Sequence, residues 1–306
     1  MNPLAAILAI ALLCSVVAGC GGVGAKQNEE VTITVTSRAN DEEEILREIY
    51  ALSLEAAGFQ VKLREFKPGQ FATEELETGR VSGYPDYLDT ALTVANPAKA
   101  DDVPTSPMTA HRELRQELEE KDLVPFSPAP FSRTKAIGIT RETAEREGIK
   151  TLSDLKGPAG GMQVLELELK CHGRWACLEG FEKYYGIAFE SFAGISPLEP
   201  SPGPYKALKT GETDAVMLVT TEGQLARKGD WLVLLEDEEH RLPAANAFWM
   251  TSRDAIDEAG PGYEKAILTA QKGLTVEVIR ELNAKVELEG KAPAKVAAEY
   301  LESVGD

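Results

Sequence analysis

Histidine and cysteine are scarce in this chain, and cations are outnumbered. Its 306 residues include three histidines and four cysteines, and 32 lysines and arginines stand against 50 aspartates and glutamates, for a net charge of -18. His111, His172 and His240 are scattered. With no G-x-S-x-G, P-loop or dinucleotide fingerprint beside them, no nucleophile and base can be assembled, so the chain is not expected to be an enzyme. No run of lysine or arginine stands out, which argues against nucleic acid as a partner. What is present, 43% hydrophobic and 27% charged residues, is the composition of a globular protein that can bury one large core or two smaller ones.

Charge is also missing from the N-terminus, where no charged side chain precedes Cys20. Leu4 to Val17 is an apolar run shorter than the roughly 20 residues that cross a bilayer as a helix, and it reads as a signal-peptide h-region. Only the α-amino group supplies an n-region charge. Val17-Ala18-Gly19-Cys20 follows, a small-residue cleavage pattern that in bacteria resembles a lipobox; a plain secretory cleavage site is the alternative. Residues 1–19 are then a signal peptide, Cys20 is the lipid-modified first residue, and 20–30 is a Gly-rich polar tether. The expected location is extracytoplasmic, with the lipid as the sole attachment to the outer face of the cytoplasmic membrane. Cys14 leaves with the signal, so the exported body keeps Cys171 and Cys177, and an oxidising compartment favours a disulfide between them. Five intervening residues with a lone His172 do not supply a tetrahedral ligand set, so no metal and no cofactor are expected.

Along the body, Val31, Ile33 and Val35 alternate with threonines as in a half-buried strand. Asn40 or Asp41 can cap a helix carrying Ile45, Leu46, Ile49 and Leu52, which Gly58 ends. Val61 and Leu63 restart a strand, giving a βαβ unit. Its loop, Ser37 to Asn40, lies at the carboxyl edge of the sheet, where open α/β sheets bind ligands; Arg38 and Asn40 are candidates there. Glu75-Leu76-Glu77-Thr78-Gly79 before VSGYPDY is echoed 132 residues later by Ala207-Leu208-Lys209-Thr210-Gly211 before TDAVMLVTT, which predicts two lobes of similar build. Strands are expected at Ala136–Thr140, Trp231–Leu235 and Asn246–Thr251, with a mostly helical remainder from Asp254. Crossings near Ser132–Lys135 and Glu239–Pro243 would form a two-segment hinge, with lobe 1 made of 31–135 plus 241–306 and lobe 2 of 136–240.

Five segments together, TSRANDEEEILREIYALSLEAAGF, GYPDYLDT, SPAPFSRTKAIGIT, KCHGRWACLEGFEKYYG and LVLLEDEEHRLPAANAF, resemble the extracytoplasmic solute-binding proteins of glycine-betaine, choline and carnitine ABC importers, over roughly residues 31 to 303. The resemblance implies an α/β periplasmic-binding-protein fold of the second type, whose two lobes close over a small zwitterionic or carboxylate-bearing solute. It also implies an ABC permease and ATPase as partners, with the binding protein itself a monomer. A role in sensing the ligand without transport is the competing reading. The ligand would be a quaternary ammonium in an aromatic cage, with its carboxylate on basic and hydroxyl groups. Carried onto this chain, the carboxylate side falls on Arg38, Thr90 and Arg174. Of four cage tyrosines only Tyr87 remains; the others fall on Lys135, Val219 and Ala245. A lysine at a cage position repels a quaternary ammonium unless it points to solvent, or unless Trp175, Phe248 or Trp249 rebuilds the cage; otherwise Arg38, Lys135 and Arg174 make an anion or dicarboxylate site.

Several of these residues also suit purely structural roles. Arg38 can pair with the acidic run Asp41 to Glu44. Phe248 and Trp249 alternate in a strand, so one is expected in a core and the other at a cleft or solvent. Asn246 can bond across the cleft floor or satisfy local backbone. Thr220, Thr221 and Glu222, at a strand end leading to a helix N-terminus, can form a ligand rim or an ordinary cap.

Overall fold

The computed structural model describes residues 31–38, 40–65, 72–166, 178–194 and 203–304. Among the described residues, ten strands make two sheets of five. The first contains β1 (Thr32–Val35), β2 (Gln60–Leu63), β3 (Gly83–Tyr87), β4 (Leu123–Pro125) and β10 (Ala247–Ser252) in the order β2-β1-β3-β10-β4. The second contains β5 (Lys135–Thr140), β6 (Gln163–Glu166), β7 (Ser191–Gly194), β8 (Ala215–Val219) and β9 (Leu232–Leu234) in the order β7-β6-β8-β5-β9.

The two orders are one pattern used twice. In each sheet three strands run parallel and a fourth joins antiparallel: β10 on β3 in the first, β5 on β8 in the second. The 132-residue echo is the register of this duplication, since β3 begins at Gly83 and β8 at Ala215. The pairing repeats too, with Tyr87 opposite Ala247 and Val219 opposite Lys135. Even the exits match. Ser252 at the end of β10 and Thr140 at the end of β5 each cap a following helix, accepting from Ala255 N and Thr143 N at 3.2 and 3.1 Å.

Local chemistry accounts for the first unit. Asn40 caps the helix Asp41–Ala56 by accepting from Glu43 N at 3.0 Å, and the acidic first turn suits the positive end of the helix dipole. Ile45, Leu46, Ile49 and Leu54 are buried beneath it. The C-terminal helices Gly262–Gln271, Val276–Glu287 and Pro293–Val304 pack on that helix. This encloses one face of the first sheet, while a second apolar cluster around Leu88, Leu114 and Phe248 covers the other. The second sheet is likewise covered on both faces.

Double coverage explains one departure from the sequence reading. Phe248 and Trp249 point to opposite faces of β10, yet both are completely buried, because in a sheet with two helical layers neither face meets a cleft. Trp249 donates from Nε1 to Tyr263 Oη at 2.9 Å and packs edge-on to Tyr50. It is a core residue, and neither it nor Phe248 can rebuild a cage.

The chain passes between the sheets twice, from β4 to β5 and from β9 to β10. These segments run side by side. Ser132 and Asn246 form an antiparallel bridge, and Arg133 N donates to Ala245 O at 2.9 Å. The passage from β9 to β10 includes Glu239–Pro243, and its Ala245 and Asn246 make the contact with Ser132 and Arg133. No helix among the described residues is long and apolar enough to cross a membrane.

Candidate functional site

At the seam between the sheets, the end of β3, the end of β8 and the first crossover meet the N-terminal turn of the helix Asp41–Ala56. Thr220 ties β8 to the crossover. Its N–H donates to Thr134 O at 2.9 Å, its hydroxyl accepts from Thr134 N at 3.1 Å and donates to Ser132 O at 2.8 Å. It therefore fastens the hinge, and its hydroxyl is not turned to a ligand rim. Asn246 is buried and donates from Nδ2 to Ala129 O at 3.0 Å, which ties the second crossover to the first. Thr221 is fully buried, and its carbonyl accepts from Asn283 Nδ2 at 2.7 Å.

Tyr87 ends β3 with its ring buried and its hydroxyl donating to the Glu42 carboxylate. Glu42 also accepts from Asn283 Nδ2 at 2.8 Å. One carboxylate thus joins the first helix, β3 and the C-terminal helix Val276–Glu287. Above the Tyr87 ring lies Arg133, its guanidinium carbon 5.4 Å from the ring centroid and its Nε 3.8 Å from Glu42. Burial, with Glu42 second, pushes the Tyr87 phenol well above its ordinary range, so it remains a hydrogen-bond donor.

Arg38 stands nearby but is committed. Its Nε lies 2.9 Å from Glu43 Oε1, and another guanidinium nitrogen pairs with Asp86. The sequence offered Arg38 a carboxylate partner within Asp41–Glu44, and Glu43 takes that part; Asp86 is added from β3. An anion at Arg38 would have to compete with both. Burial outweighs the attraction of Arg38 and lifts Asp86 to about 6. Asn40, exposed, is occupied as the helix cap. Thr90 is half-buried, with its hydroxyl 3.4 Å from Asp89 Oδ1.

Lys135 opens β5 half-buried. With Arg133 it acts on two carboxylates, Asp89 of the first lobe and Glu222 of the second. Burial raises both acids, and both cations oppose that rise. The crossover therefore carries a pair of cations into the seam between the lobes. Arg174, Trp175, Cys171, Cys177 and Cys20 lie outside the described residues. A depression of about 470 Å³ lies elsewhere, between the helix Pro107–Leu118 and β4, lined in part by His111, Arg112 and Arg253. It touches the first lobe alone and cannot couple a ligand to lobe closure.

A family model described as the substrate binding domain of ABC-type glycine betaine transport system, OpuAC, matches residues 31–303. The chain belongs to this family. The glycine-betaine-binding protein of Pseudomonas aeruginosa is 26% identical over 303 residues, covering 94% of this chain and 92% of that protein. The ergothioneine transport permease/ergothioneine binding protein EgtU of Helicobacter pylori is 25% identical over 286 residues, covering 90% of this chain and 48% of that protein. Among solved structures, a glycine betaine/carnitine/choline ABC transporter protein superposes with a TM-score of 0.75 at 23% identity, covering 89% of this chain and 98% of that one. Apo YehZ from Escherichia coli gives 0.71 at 22% identity, covering 90% of this chain and 99% of that one. The fold is the periplasmic-binding-protein fold of the second type. As an OpuAC protein the chain is the extracytoplasmic substrate-binding component of an ABC importer, in a transport family and not an enzyme family. A ligand that touches both lobes favours the closed state by differential affinity.

The sequence reading passed over Arg133, Glu42 and Asn283. Arg133 had a visible signal, a cation two residues before Lys135 in the same crossover. Glu42 reads as one more acid in a helix first turn, and Asn283 as a polar position in a C-terminal helix.

Proposed function

We propose that the seam takes a small solute by its carboxylate, against Arg133 and Lys135, and that a quaternary ammonium group is not what selects it. The observation that carries this reading is the state of Tyr87. Its hydroxyl is held by Glu42 and its face lies under Arg133, while the positions that the family resemblance gives to the other cage rings hold Lys135, Val219 and Ala245. The two ring-bearing ends of β3 and β8 have thus become one ring and one valine. Glycine betaine, named for the Pseudomonas relative, and ergothioneine, named for EgtU, both carry a carboxylate, so they remain in the class.

Thr90 completes the carboxylate side in this reading, with Arg174 and Trp175 closing from lobe 2 on a turn held by a Cys171–Cys177 disulfide. Lobe 1 comprises 31–135 plus 241–306 and lobe 2 comprises 136–240; Cys20 carries the lipid, residues 20–30 are the tether, and the protein acts as a monomer. Intact mass before and after reduction tests the disulfide. Detergent-phase partition, lost in Cys20→Ala, tests the anchor.

The decisive experiment is a thermal-shift panel on the mature domain. Betaine, carnitine and ergothioneine, dicarboxylates, amino acids and sulfonates are compared with choline, which has the cation without the acid. A ligand at 100 times its Kd stabilises by about 2.7 kcal/mol. Stabilisation by carboxylates and not by choline is expected; choline binding as tightly as the carboxylates overturns the reading.

A further inference from the structure

Arg133 is anchored in the hinge, and its guanidinium reaches into the first lobe. Its N–H is fixed to Ala245 O at 2.9 Å, inside the paired crossovers. From there the side chain runs to Tyr87, with the guanidinium 5.4 Å from the ring centroid and Nε 3.8 Å from Glu42. An aromatic face attracts a cation within about 6 Å, most strongly where water is excluded; Tyr87 is 3% exposed, while the Arg133 side chain covering it keeps 37% of its own surface open. The neighbouring carboxylate deepens the same negative spot. A guanidinium suits this position better than an ammonium because its plane can stack while its edge stays paired.

The guanidinium is also tethered. A free cation seeking that face would have to displace a group already delivered to it by the chain, with the high effective concentration of an intramolecular partner. Acids around it keep Arg133 charged. Burial works against the charge, but the carboxylates of Glu42, Glu43 and Asp89 favour it.

We propose that Arg133 is the specificity-determining residue of this binding protein: as a built-in cation it fills the Tyr87 ring face, bars a ligand ammonium from it, and leaves the seam to ligands that bring an anionic group. The inference rests on the reading that the solute binds at this seam. It makes the absence of a cation site an active exclusion by one side chain, and so predicts that the exclusion can be lifted.

The test compares the mature wild type with Arg133→Gln, Arg133→Met and Arg133→Lys, using tetramethylammonium chloride as a cation with no acid and succinate as an acid with no cation. Titration calorimetry is run against sodium chloride at equal ionic strength, with circular dichroism to confirm folding. Arg133→Gln should bind tetramethylammonium at least tenfold more tightly than wild type. Arg133→Met, which keeps much of the aliphatic stem, should do the same and stands in if the glutamine variant does not fold. Arg133→Lys should keep the wild-type exclusion, and adding Tyr87→Leu to Arg133→Gln should abolish the gain. Equal tetramethylammonium affinity in wild type and in the folded Gln and Met variants overturns the proposal. If wild type binds no carboxylate but Arg133→Gln gains tetramethylammonium, the carboxylate reading fails and the ring-face assignment stands; if wild type binds carboxylates and no variant gains, the assignment alone fails.

Discussion

Gly223 and Ala284 meet backbone to backbone across the two lobes: a Cβ built on Gly223 would lie 2.4 Å from the Ala284 nitrogen. The glycine is there for space and not for an unusual backbone angle, since its φ lies outside the left-handed region. Around it Arg227 pairs with Glu281 at 2.8 Å, and Arg280 Nε donates to Thr220 O at 2.6 Å. The segment following β8 is thereby seated on the C-terminal helix of the other lobe. Gly223→Ala should force the two apart and cost about 1–3 kcal/mol, the usual scale of overpacking. The denaturant midpoint reads the cost, and small-angle scattering should show a larger radius of gyration in the unliganded variant.

Glu287 accepts from Gly223 N at 3.0 Å in the same contact. Burial, with Glu222 second, raises it from 4.5 to about 7. The folded state therefore binds this proton more tightly than the unfolded chain does, so its contribution weakens stability as pH rises from about 4.5 to about 7 and is constant above that. Asp86, raised to about 6, acts in the same sense at lower pH. Glu287→Gln should raise the melting temperature at pH 8 and leave it nearly unchanged at pH 5. A larger gain at pH 5 than at pH 8 would show the sign to be wrong.

Trp249 stands in the first-lobe core with its indole nitrogen on Tyr263. Trp249→Phe removes that bond and leaves a void, at a cost of about 2–4 kcal/mol by the scale of core truncations. Ligand affinity, measured below the new melting point, should not move. A large loss of affinity at unchanged stability would return Trp249 to the site.

Lys135 opposes the rise that burial imposes on Asp89 and Glu222, and it is one of the two crossover cations on which a carboxylate depends in the proposed function. Lys135→Gln should weaken carboxylate ligands by about tenfold, about 1.4 kcal/mol, and should steepen the loss at high salt far less than wild type does. Lys135→Tyr should lose carboxylates similarly. With Arg133 still over Tyr87 it should gain little for tetramethylammonium, and calorimetry on the single variant and on Lys135→Tyr with Arg133→Gln separates the two contributions.

The parts of the fold with local causes are legible in the order of residues. Alternation in Val31 to Thr36, the Asn40 cap and the Gly58 stop specify the first βαβ unit, and the echo between GYPDY and AVMLV fixes the duplication that the sheets express. Those signals are carried within a few residues, so they are readable in one dimension. The family, too, lay in the order of five such segments. The tertiary structure alone decided which charges are already matched and which rings are covered. Arg38 looks like an open receptor until Asp86, from another strand, arrives beside Glu43. Trp249 looks half-exposed until a second helical layer closes over β10. Arg133 has no distinguishing neighbour in sequence, and only the crossing of the chain between the sheets lays it on Tyr87. Pairing energies depend on distance in space and on desolvation by distant segments, and neither quantity is set by spacing along the chain.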